Sequence, residues 1–500
     1  MTNRMFPLAT ALLLTSTTAM AELAPQDIIK SWQNMYANLG GSLSSAAPVV
    51  TGATTRYPDV VTQTHLPTGT GRFTIDYIDI RQNPDGSVDI TFSPNASSST
   101  ILETGDSPTI AANASYDLGS LAIHAQGTPA DINYSYTAPI ITFQQSLARP
   151  DMDMSMTIAL EGLQGTLQSI TAQDSTLAQT AHLTATTLSA KLALAPTQGA
   201  QVFVDYTADA LNISYDLSLP HRPTETSLHP MLFPEGSVFG MTISTGPATT
   251  TVDKPVTTTG GKGRFTVTQS SGDLTAAYAE NALSYGLTAT GTSLEMANTP
   301  ARPIDFTAAF DRFHLGITLP VRKADIPAPF ALALALEGAT VGDDIWNRID
   351  PEATLSRAPA SFAFSLNGTA KLFVDLFDQT ALTALRGAPF EISALDLSAL
   401  SLDFEGLGLT GDGGVTFNTE RRDPASGLPE PTGTLDFSIT GALGLLDKIG
   451  RLGIGDPMII IGAKGALGMF ATAGDGPDSF TSHIAFTDGG HISVNGQQVK

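Results

Sequence analysis

The stretch Phe330-Ala-Leu-Ala-Leu-Ala-Leu336 decides the fold class of this chain. Large apolar side chains occupy every second position, and alanines fill the positions between them. A repeat of two places successive side chains on opposite faces of a β-strand. The same alternation returns along the chain at residues 202–219, 362–366, 372–376, 435–439 and 484–486. The sequence therefore predicts a mainly β protein.

The positions that alternate with these apolar residues carry Thr, Ser and Ala instead of Lys and Glu. Strands of this kind have one apolar face and one mildly polar, uncharged face, which suits large antiparallel sheets with limited solvent contact. Between Tyr77 and Ile78 the alternation changes phase, which predicts a β-bulge near Tyr77. The turn Asn83-Pro-Asp-Gly86 then leads into a hairpin partner at residues 88–92.

Helical periodicity occurs in two places, one near the N-terminus and one near the C-terminus. Ile28, Trp32, Met35 and Leu39 share one helix face, which predicts an N-terminal helix packed on the sheet. Residues 442–472 predict a helix pair. In its second helix Gly462, Gly465 and Gly468 recur every three residues, and we expect them to permit close packing inside the protein.

A second interpretation of the helix pair is open. Lys448, Arg451 and Lys464 add positive charge to an otherwise acidic chain, which is typical of a helix that lies on a membrane surface.

A faint internal repeat is visible. Tyr116, Tyr136, Tyr206 and Tyr278 are each followed five residues later by Leu or Ile. Repeated strand units of this kind indicate duplication within one sheet. We therefore predict one or more large antiparallel sheets, curved or folded over, built from repeated strand units. The predicted divisions are a signal peptide at 1–21, a helix and β-sheet region at 22–219, a Pro-rich linker at 220–234, a second β region at 235–328, and a C-terminal β region at 329–500.

Composition excludes several functions. The chain has 48 acidic and 25 basic residues, a formal charge of −23, and no cysteine. Without cysteine there is no disulfide framework, thiolate metal site or cysteine nucleophile. The negative charge argues against nucleic-acid binding, which depends on Lys and Arg at phosphates. With 42% apolar residues, intrinsic disorder is not expected.

The first residues have the pattern of a secretory signal. Arg4 precedes an apolar run at 5–14, and Ala19-Met-Ala21 supplies the small residues before a cleavage site. We expect cleavage after Ala21, before Glu22, and a periplasmic location. The later sequence contains no apolar run long enough to predict a membrane span. The mature protein is thus expected to be soluble or peripheral to a membrane.

No catalytic or cofactor motif is found. The eight histidines have no metal-ligand spacing, and there is no P-loop, dinucleotide fingerprint or serine-nucleophile motif. Asp343 and Asp344 precede a short helix, where carboxylates cap N-termini, although a carboxylate pair can also perform acid–base chemistry. We expect no cofactor, no metal and no enzymatic activity.

Several blocks resemble a bacterial family defined only as domain of unknown function 2125, and they are densest after Pro329. The family is identified from Tyr206-Thr-Ala-Asp-Ala-Leu211, Pro329-Phe330, Trp346-Asn-Arg-Ile-Asp-Pro351, Leu366-Asn-Gly-Thr-Ala-Lys371, Leu409-Thr-Gly-Asp-Gly-Gly414, Pro431-Thr-Gly433, Gly444-Leu-Leu-Asp-Lys448, Gly468-Met-Phe470, Gly474-Asp-Gly-Pro-Asp-Ser479 and Val494-Asn-Gly-Gln-Gln498. The resemblance implies an exported, β-rich envelope protein and supplies no activity. Residues 220–234 depart from it, because a more helical connector is expected there.

Two functions remain. The first is a non-enzymatic envelope protein whose sheet holds a lipid or another apolar ligand in a groove. A sheet with such a groove is similar to AsmA-like envelope proteins, an analogy at the level of the fold alone. The second is a structural or protein-interaction scaffold with a packed sheet. An open apolar trough would favour the first, and a closed core without a cavity above about 300 Å³ the second. The predicted groove residues are Leu332, Leu334, Leu336, Phe362 and Phe364.

Overall fold

The structure is a computed structural model. It describes most of the chain after the predicted signal peptide. The described residues are 22–66, 69–102, 110–148, 152–197, 200–221, 235–255, 262–296, 305–422, 429–453 and 456–499. The predicted cleavage residues Ala19 and Ala21 lie outside them.

One large antiparallel sheet dominates the molecule, which is 66% strand and 12% helix, so the predicted mainly β class is confirmed. The strands of its first half are β1 (Gly41–Ser44), β2 (Val49–Thr51), β3 (Thr54–Leu66), β4 (Gly69–Gln82), β5 (Val88–Phe92), β6 (Asn95–Leu102), β7 (Ile110–Asp117), β8 (Ala122–Thr128), β9 (Asp131–Ala148), β10 (Met152–Thr171), β11 (Leu177–Pro196) and β12 (Val202–Leu219).

The strands of the second half continue the same sheet. They are β13 (Val238–Thr245), β14 (Ala248–Pro255), β15 (Lys262–Gln269), β16 (Ser271–Ala279), β17 (Ala282–Met296), β18 (Phe306–Pro320), β19 (Ala328–Val341), β20 (Ala360–Leu372), β21 (Phe390–Phe404), β22 (Leu407–Arg422), β23 (Pro429–Thr440), β24 (Thr472–Ala473), β25 (Ser479–Thr487), β26 (His491–Val494) and β27 (Gln497–Gln498).

Within the described ranges, five helices accompany the sheet. They are α1 (Pro25–Asn38), α2 (Asp343–Ile349), α3 (Gln379–Ala384), α4 (Ala442–Leu452) and α5 (Pro457–Phe470). The N-terminal helix and the C-terminal helix pair lie where the sequence predicts them.

The sheet is largely a meander, because the long strands pair with the strands next to them along the chain. β9 to β12 pair in sequence over almost their whole lengths, and so do β17 to β23. At four positions in the sheet, two short strands take the place of one long strand. Strands β5 and β6 both pair with β4, and on their other side β5 pairs with β8 and β6 pairs with β7. Strands β13 and β14 likewise both pair with β12, and on their other side β13 pairs with β16 and β14 pairs with β15.

A line of irregularities crosses the sheet at the same level as these breaks. Residues with left-handed backbone conformation lie on it in the long strands: Asp59 on β3, Gly162 on β10, Ala210 on β12, Gly291 on β17 and Gly338 on β19. Pro94 and Pro247 separate the two halves of the broken strands. Proline and residues with positive φ are typical of bulges, where the ladder is interrupted and the strand bends.

The bulge line reverses the alternation of each strand, so that apolar side chains stay on one face. On β9, Tyr136 and Ile141 are an odd number of residues apart, yet they belong to the same apolar face; on β12 the same holds for Tyr206 and Leu211. The five-residue spacing in the sequence therefore marks the bulge. Tyr278 and Leu283 differ, because they oppose each other across the β16–β17 hairpin.

The predicted bulge near Tyr77 belongs to the same line. Ile75, Ile78 and Ile80 are all buried, which requires a change of phase between the first two. The pairing of β4 with β5 and with β6 also differs by one residue on the two sides of Tyr77.

The main core lies where the sheet curves around α1. Ile28 and Ile29 of this helix are buried against Ile80 and Ile90 of the sheet. Met35 reaches the other side of the curve, where its sulfur lies 3.6 Å from Nε2 of Gln179 on β11. A helix that contacts β1, β4 and β11 requires a sheet that bends over it.

The helix pair contradicts one expectation. Gly462, Gly465 and Gly468 have no neighbouring atom within 4 Å of the place where a Cβ would stand. None of the residues of α5 is buried. These glycines therefore do not serve close packing inside the described part of the protein.

The predicted region boundaries fall within continuous hydrogen bonding. β12 and β13, on the two sides of the predicted linker, pair with each other, as Leu217 with Phe239. β18 and β19 pair across the boundary at 328–329. Residues 222–234 of the linker lie outside the described residues.

Candidate apolar ligand-binding face

Cross-strand register places apolar residues in unbroken rows. Directly opposed residues of antiparallel strands share one face of the sheet. Leu332 opposes one residue on each neighbouring strand, and each of those opposes a residue on the next strand. We call the residues that are connected in this way the Leu332 row. It consists of Val88, Ala125, Tyr134, Leu167, Ala181, Tyr215, Met241, Ala276, Tyr285, Ile317, Leu332, Leu366, Leu397, Gly413, Leu435, Ile484 and Val494.

A parallel Leu334 row lies beside it on the same face. It consists of Ile80, Ile90, Ile123, Tyr136, Gly165, Leu183, Ile213, Ile243, Leu274, Leu287, Leu315, Leu334, Phe364, Leu400, Gly411 and Phe437. We call the two rows together the apolar face. At about 4.8 Å per strand, the Leu332 row extends for roughly 75 Å along the curve of the sheet.

The five predicted groove residues fall together on this face. Leu334 opposes Phe364 directly, and Leu336 opposes Phe362 in the next row toward the bulge line. Leu332 opposes Leu366, which the prediction omitted. All are half-buried. Because they cover only two strands, they form a small part of a face that continues on both sides.

Burial along the face falls from α1 to the middle of the sheet. Val88, Ala125 and Tyr134 in the Leu332 row are almost completely inaccessible. In the middle of the sheet Tyr285 is 51% exposed and Leu287 is 43% exposed. Large apolar side chains with this exposure, in contiguous rows, mark a surface suited to an apolar partner or ligand.

The opposite face has a different chemistry. On β17 to β19 it carries small and hydroxyl side chains, and their hydroxyls bond across strands. Ser284 Oγ lies 2.9 Å from Thr318 Oγ1, and Thr288 Oγ1 lies 3.0 Å from Nδ1 of His314. Across β17 to β19 the two faces of the sheet are therefore distinct in their chemistry.

Glycines in the rows do not leave gaps where an aromatic ring covers them. The Phe437 ring lies over Gly411, its cross-strand neighbour in the Leu334 row, and a Cβ there would collide with Cε1 at 2.8 Å. Phe330 covers Gly368 in the same way. An aromatic ring over a cross-strand glycine restores the apolar contact that glycine lacks.

A pocket of about 290 Å³ lies between α1 and the start of the apolar face. Its lining is mostly apolar and includes Trp32, Phe73 and Tyr136, with Ser169 and Gln179 as polar groups. Gln179 Nε2 donates to Ser169 Oγ at 3.3 Å. The helix thus closes one end of the face, and the pocket opens beneath it.

Two tyrosines in this pocket are held neutral. Burial raises the pKa of the Tyr134 phenol to about 12 and also raises the pKa of Tyr136. The Tyr134 hydroxyl is buried near Ser31 and Trp32 but makes no hydrogen bond of ordinary geometry within the described part of the chain. It is a buried, poorly satisfied polar group in a mostly apolar pocket.

A second pocket, of about 270 Å³, lies where β18 and β20 end and β19 and β21 begin. It is lined by apolar residues only: Leu319, Pro320, Phe330, Ala370, Leu372, Leu376, Pro389, Phe390 and Ile392. It extends the apolar face sideways toward the loop at 373–378.

Asp343 and Asp344 lie within the first turn of α2 and do not cap it, because the N-cap is Gly342 and no side-chain cap bond forms. Asp343 pairs with Arg357 at 3.2 Å. Asp350 is fully buried; burial raises its pKa, but the N–H groups of Leu355 and Thr354 donate to it and bring the pKa below its usual range. Among the described residues, no group of three or more His, Asp or Glu has the geometry of a metal site.

Sequence reasoning missed most of the face. Tyr285, Leu287, Ile317 and Leu315 continue the predicted groove directly, on β17 and β18. The signal was present as alternation in each strand, but the rows become visible only once the register is known.

Comparison of the chain with protein-family models, with curated proteins and with solved structures finds no match. The resemblance to the domain of unknown function 2125 family stays a prediction. In the described ranges, every helix is too short or too polar to cross a membrane.

Proposed function

We propose that this chain is an exported envelope protein that binds the acyl chain of a lipid along its apolar face. The observation that carries the proposal is the Leu332 row, which continues without a charged residue from the α1 pocket to the C-terminal hairpin. A linear hydrocarbon matches a long, narrow apolar surface better than a compact ligand does. Burial of apolar area supplies the binding free energy.

The gradient of burial supports one polarity for the ligand. Under α1 the face is closed, and Tyr134 and Gln179 offer polar atoms in the pocket. In the middle of the sheet the face is open, as the exposure of Tyr285 shows. We propose that the acyl chain of the lipid enters from the open part of the apolar face and that a polar end group of the lipid, where present, reaches the pocket under α1.

The periplasmic location is part of the proposal and rests on residues 1–21. Arg4, the apolar run and Ala19-Met-Ala21 support export by a cleaved signal. Removal of Arg4 with the signal would change the formal charge from −23 to −24.

Native mass spectrometry of protein gently extracted from the producing cells tests these points together. We expect the measured protein mass to match a chain that begins at Glu22, and a second, larger mass that includes bound lipid. The double variant Leu274→Asp and Leu287→Asp places two charges on the open part of the face and should lose the lipid. Thr275→Asp adds a charge to the opposite face of the same strand and should retain it. Protein that is always empty would refute the lipid proposal.

The second candidate is a scaffold that docks other envelope proteins. The two pockets, of about 290 and 270 Å³, lie just below the usual range for ligand cavities, which favours this candidate. It predicts empty protein that co-purifies with a stoichiometric partner lost in the Leu274→Asp and Leu287→Asp variant. The same experiment therefore distinguishes the two.

A further inference from the structure

Helix α5 exposes apolar side chains that no described element covers. Met458, Ile459, Ile461 and Met469 are each between 62% and 71% exposed. Phe470, at its C-terminus, is 46% exposed. A helix that is apolar on its solvent side needs a partner outside the chain.

The other side of α5 is fixed to α4. Ile460, Ala463 and Leu467 recur at helical spacing and are half-buried. Ile460 lies against Gly450 of α4. Lys464 Nζ pairs with Asp447 Oδ1 at 2.5 Å, which joins the two helices. The Asp478 carboxylate in turn accepts from the N–H groups of Leu443 and Gly444 and holds the start of α4 to the sheet.

Charge in this helix pair is opposite in sign to that of the whole chain. Between residues 441 and 472 the charged residues are Asp447, Lys448, Arg451, Asp456 and Lys464, a net charge of +1, whereas the chain carries −23. Asp456 lies at the N-cap of α5, where its side chain accepts from Met458 N. The exposed side of α5 beyond this cap carries no acidic residue.

We propose that α5 binds the surface of an anionic lipid bilayer, with Met458, Ile459, Ile461, Met469 and Phe470 inserted below the headgroups. Its 14 residues make a helix of about 21 Å, too short to cross a bilayer, and α4 packs against the side that carries Ile460. The net positive charge of the helix pair favours the anionic headgroups over neutral ones. Gly462, Gly465 and Gly468, open on this side, let the helix lie close to the lipid surface.

The position of the helix pair gives this contact a place in the fold. α4 follows β23 directly, and α5 leads into β24 and β25, so the pair projects from the C-terminal part of the sheet. The Phe470 carbonyl accepts from Ser482 Oγ at 2.7 Å and from Asn495 Nδ2 at 3.0 Å. Membrane binding by α5 stands independently of lipid binding on the apolar face, since the two involve different residues.

Vesicle binding by the full chain tests the proposal. The probe is vesicles of phosphatidylethanolamine and phosphatidylglycerol, with phosphatidylcholine vesicles for comparison. We expect the double variant Ile459→Asp and Ile461→Asp to lower the bound fraction on anionic vesicles by roughly tenfold or more. The matched control is Ile326→Asp, because Ile326 is 78% exposed but lies in the loop after β18, and its binding should not change.

A tryptophan at Met469 locates the contact. The emission of Met469→Trp, after subtraction of the unsubstituted chain with its two tryptophans, should shift to the blue on anionic vesicles and be quenched by brominated acyl chains. Equal vesicle binding by the Ile459→Asp and Ile461→Asp variant and by the control, or absence of quenching, overturns the proposal. So does a dimer that this variant dissociates in the absence of lipid, since α5 would then bind a second copy.

Discussion

Truncation at two positions of the Leu334 row should have very different effects on stability. Ile90 is inaccessible beneath α1, and Leu287 is 43% exposed in the middle of the sheet. Ile90→Ala and Leu287→Ala each remove three carbon atoms, worth about 2.4 kcal/mol when fully buried. At Ile90 a residual cavity adds about 1–2 kcal/mol, because the surrounding core relaxes only in part.

The exposed position loses less for two reasons. With 43% of Leu287 already in contact with water, the transfer contribution falls to about 1.4 kcal/mol. No cavity forms, because the face above it is open. We therefore expect Ile90→Ala to lower the free energy of unfolding by about 3.5–4 kcal/mol and Leu287→Ala by about 1–1.5 kcal/mol.

Urea unfolding measures both changes. Far-UV circular dichroism follows the sheet, and the two tryptophans, Trp32 in α1 and Trp346 in α2, report on different parts of it. A decrease at Leu287→Ala equal to that at Ile90→Ala would refute the reasoning. In that case another layer covers the apolar face in solution, and a dependence of the midpoint on protein concentration would identify that layer as a second copy.

Two further changes test the pocket and the bulge line. Because burial raises the pKa of Tyr134 to about 12, the stability that goes with the neutral phenol is complete below about pH 10 and is lost as pH rises toward 12. Tyr134→Phe should reduce this alkaline loss. Since the hydroxyl makes no hydrogen bond of ordinary geometry, the variant should leave stability at neutral pH equal or higher by up to about 1 kcal/mol, as thermal melts across pH would record. Gly338→Ala should destabilise the protein by about 1–2 kcal/mol, since φ at Gly338 is +65° and the added Cβ would meet the Asp311 carboxylate. Gly462→Ala in α5 should instead slow amide exchange in that helix, because nothing lies near the added Cβ. A destabilising effect of Gly462→Ala would show that another element covers this side of α5.

The sequence was sufficient for the elements but not for their register. Alternation at Leu332, Leu334 and Leu336 predicts one strand face from the period alone. Which residues of other strands share that face depends on hairpin lengths and on single-residue bulges, and one residue of slip reverses every side chain. Phe364 could be grouped with Leu334 from its pattern, whereas Leu287, two strands away, could not.

The tyrosine repeat shows why patterns need a physical cause. Tyr136 and Tyr206 precede a bulge, so an odd spacing keeps the next apolar residue on the same face. Tyr278 has the same spacing for a different reason, a hairpin turn. The glycine spacing of α5 predicts packing within the protein, and the structure differs because small residues at helical spacing permit a close approach without specifying which element makes it.

The meander has a consequence for how the chain acquires its structure. Strands of the sheet pair with segments that are adjacent or at most three strands away along the chain, so relative contact order is low for so large a β protein. Strands can add one after another to a growing edge, starting where α1 seals the first strands, without waiting for the C-terminus. The same nearest-neighbour logic makes the sheet modular: a hairpin gained or lost during evolution would lengthen or shorten the molecule by about 10 Å while leaving the remaining pairings intact.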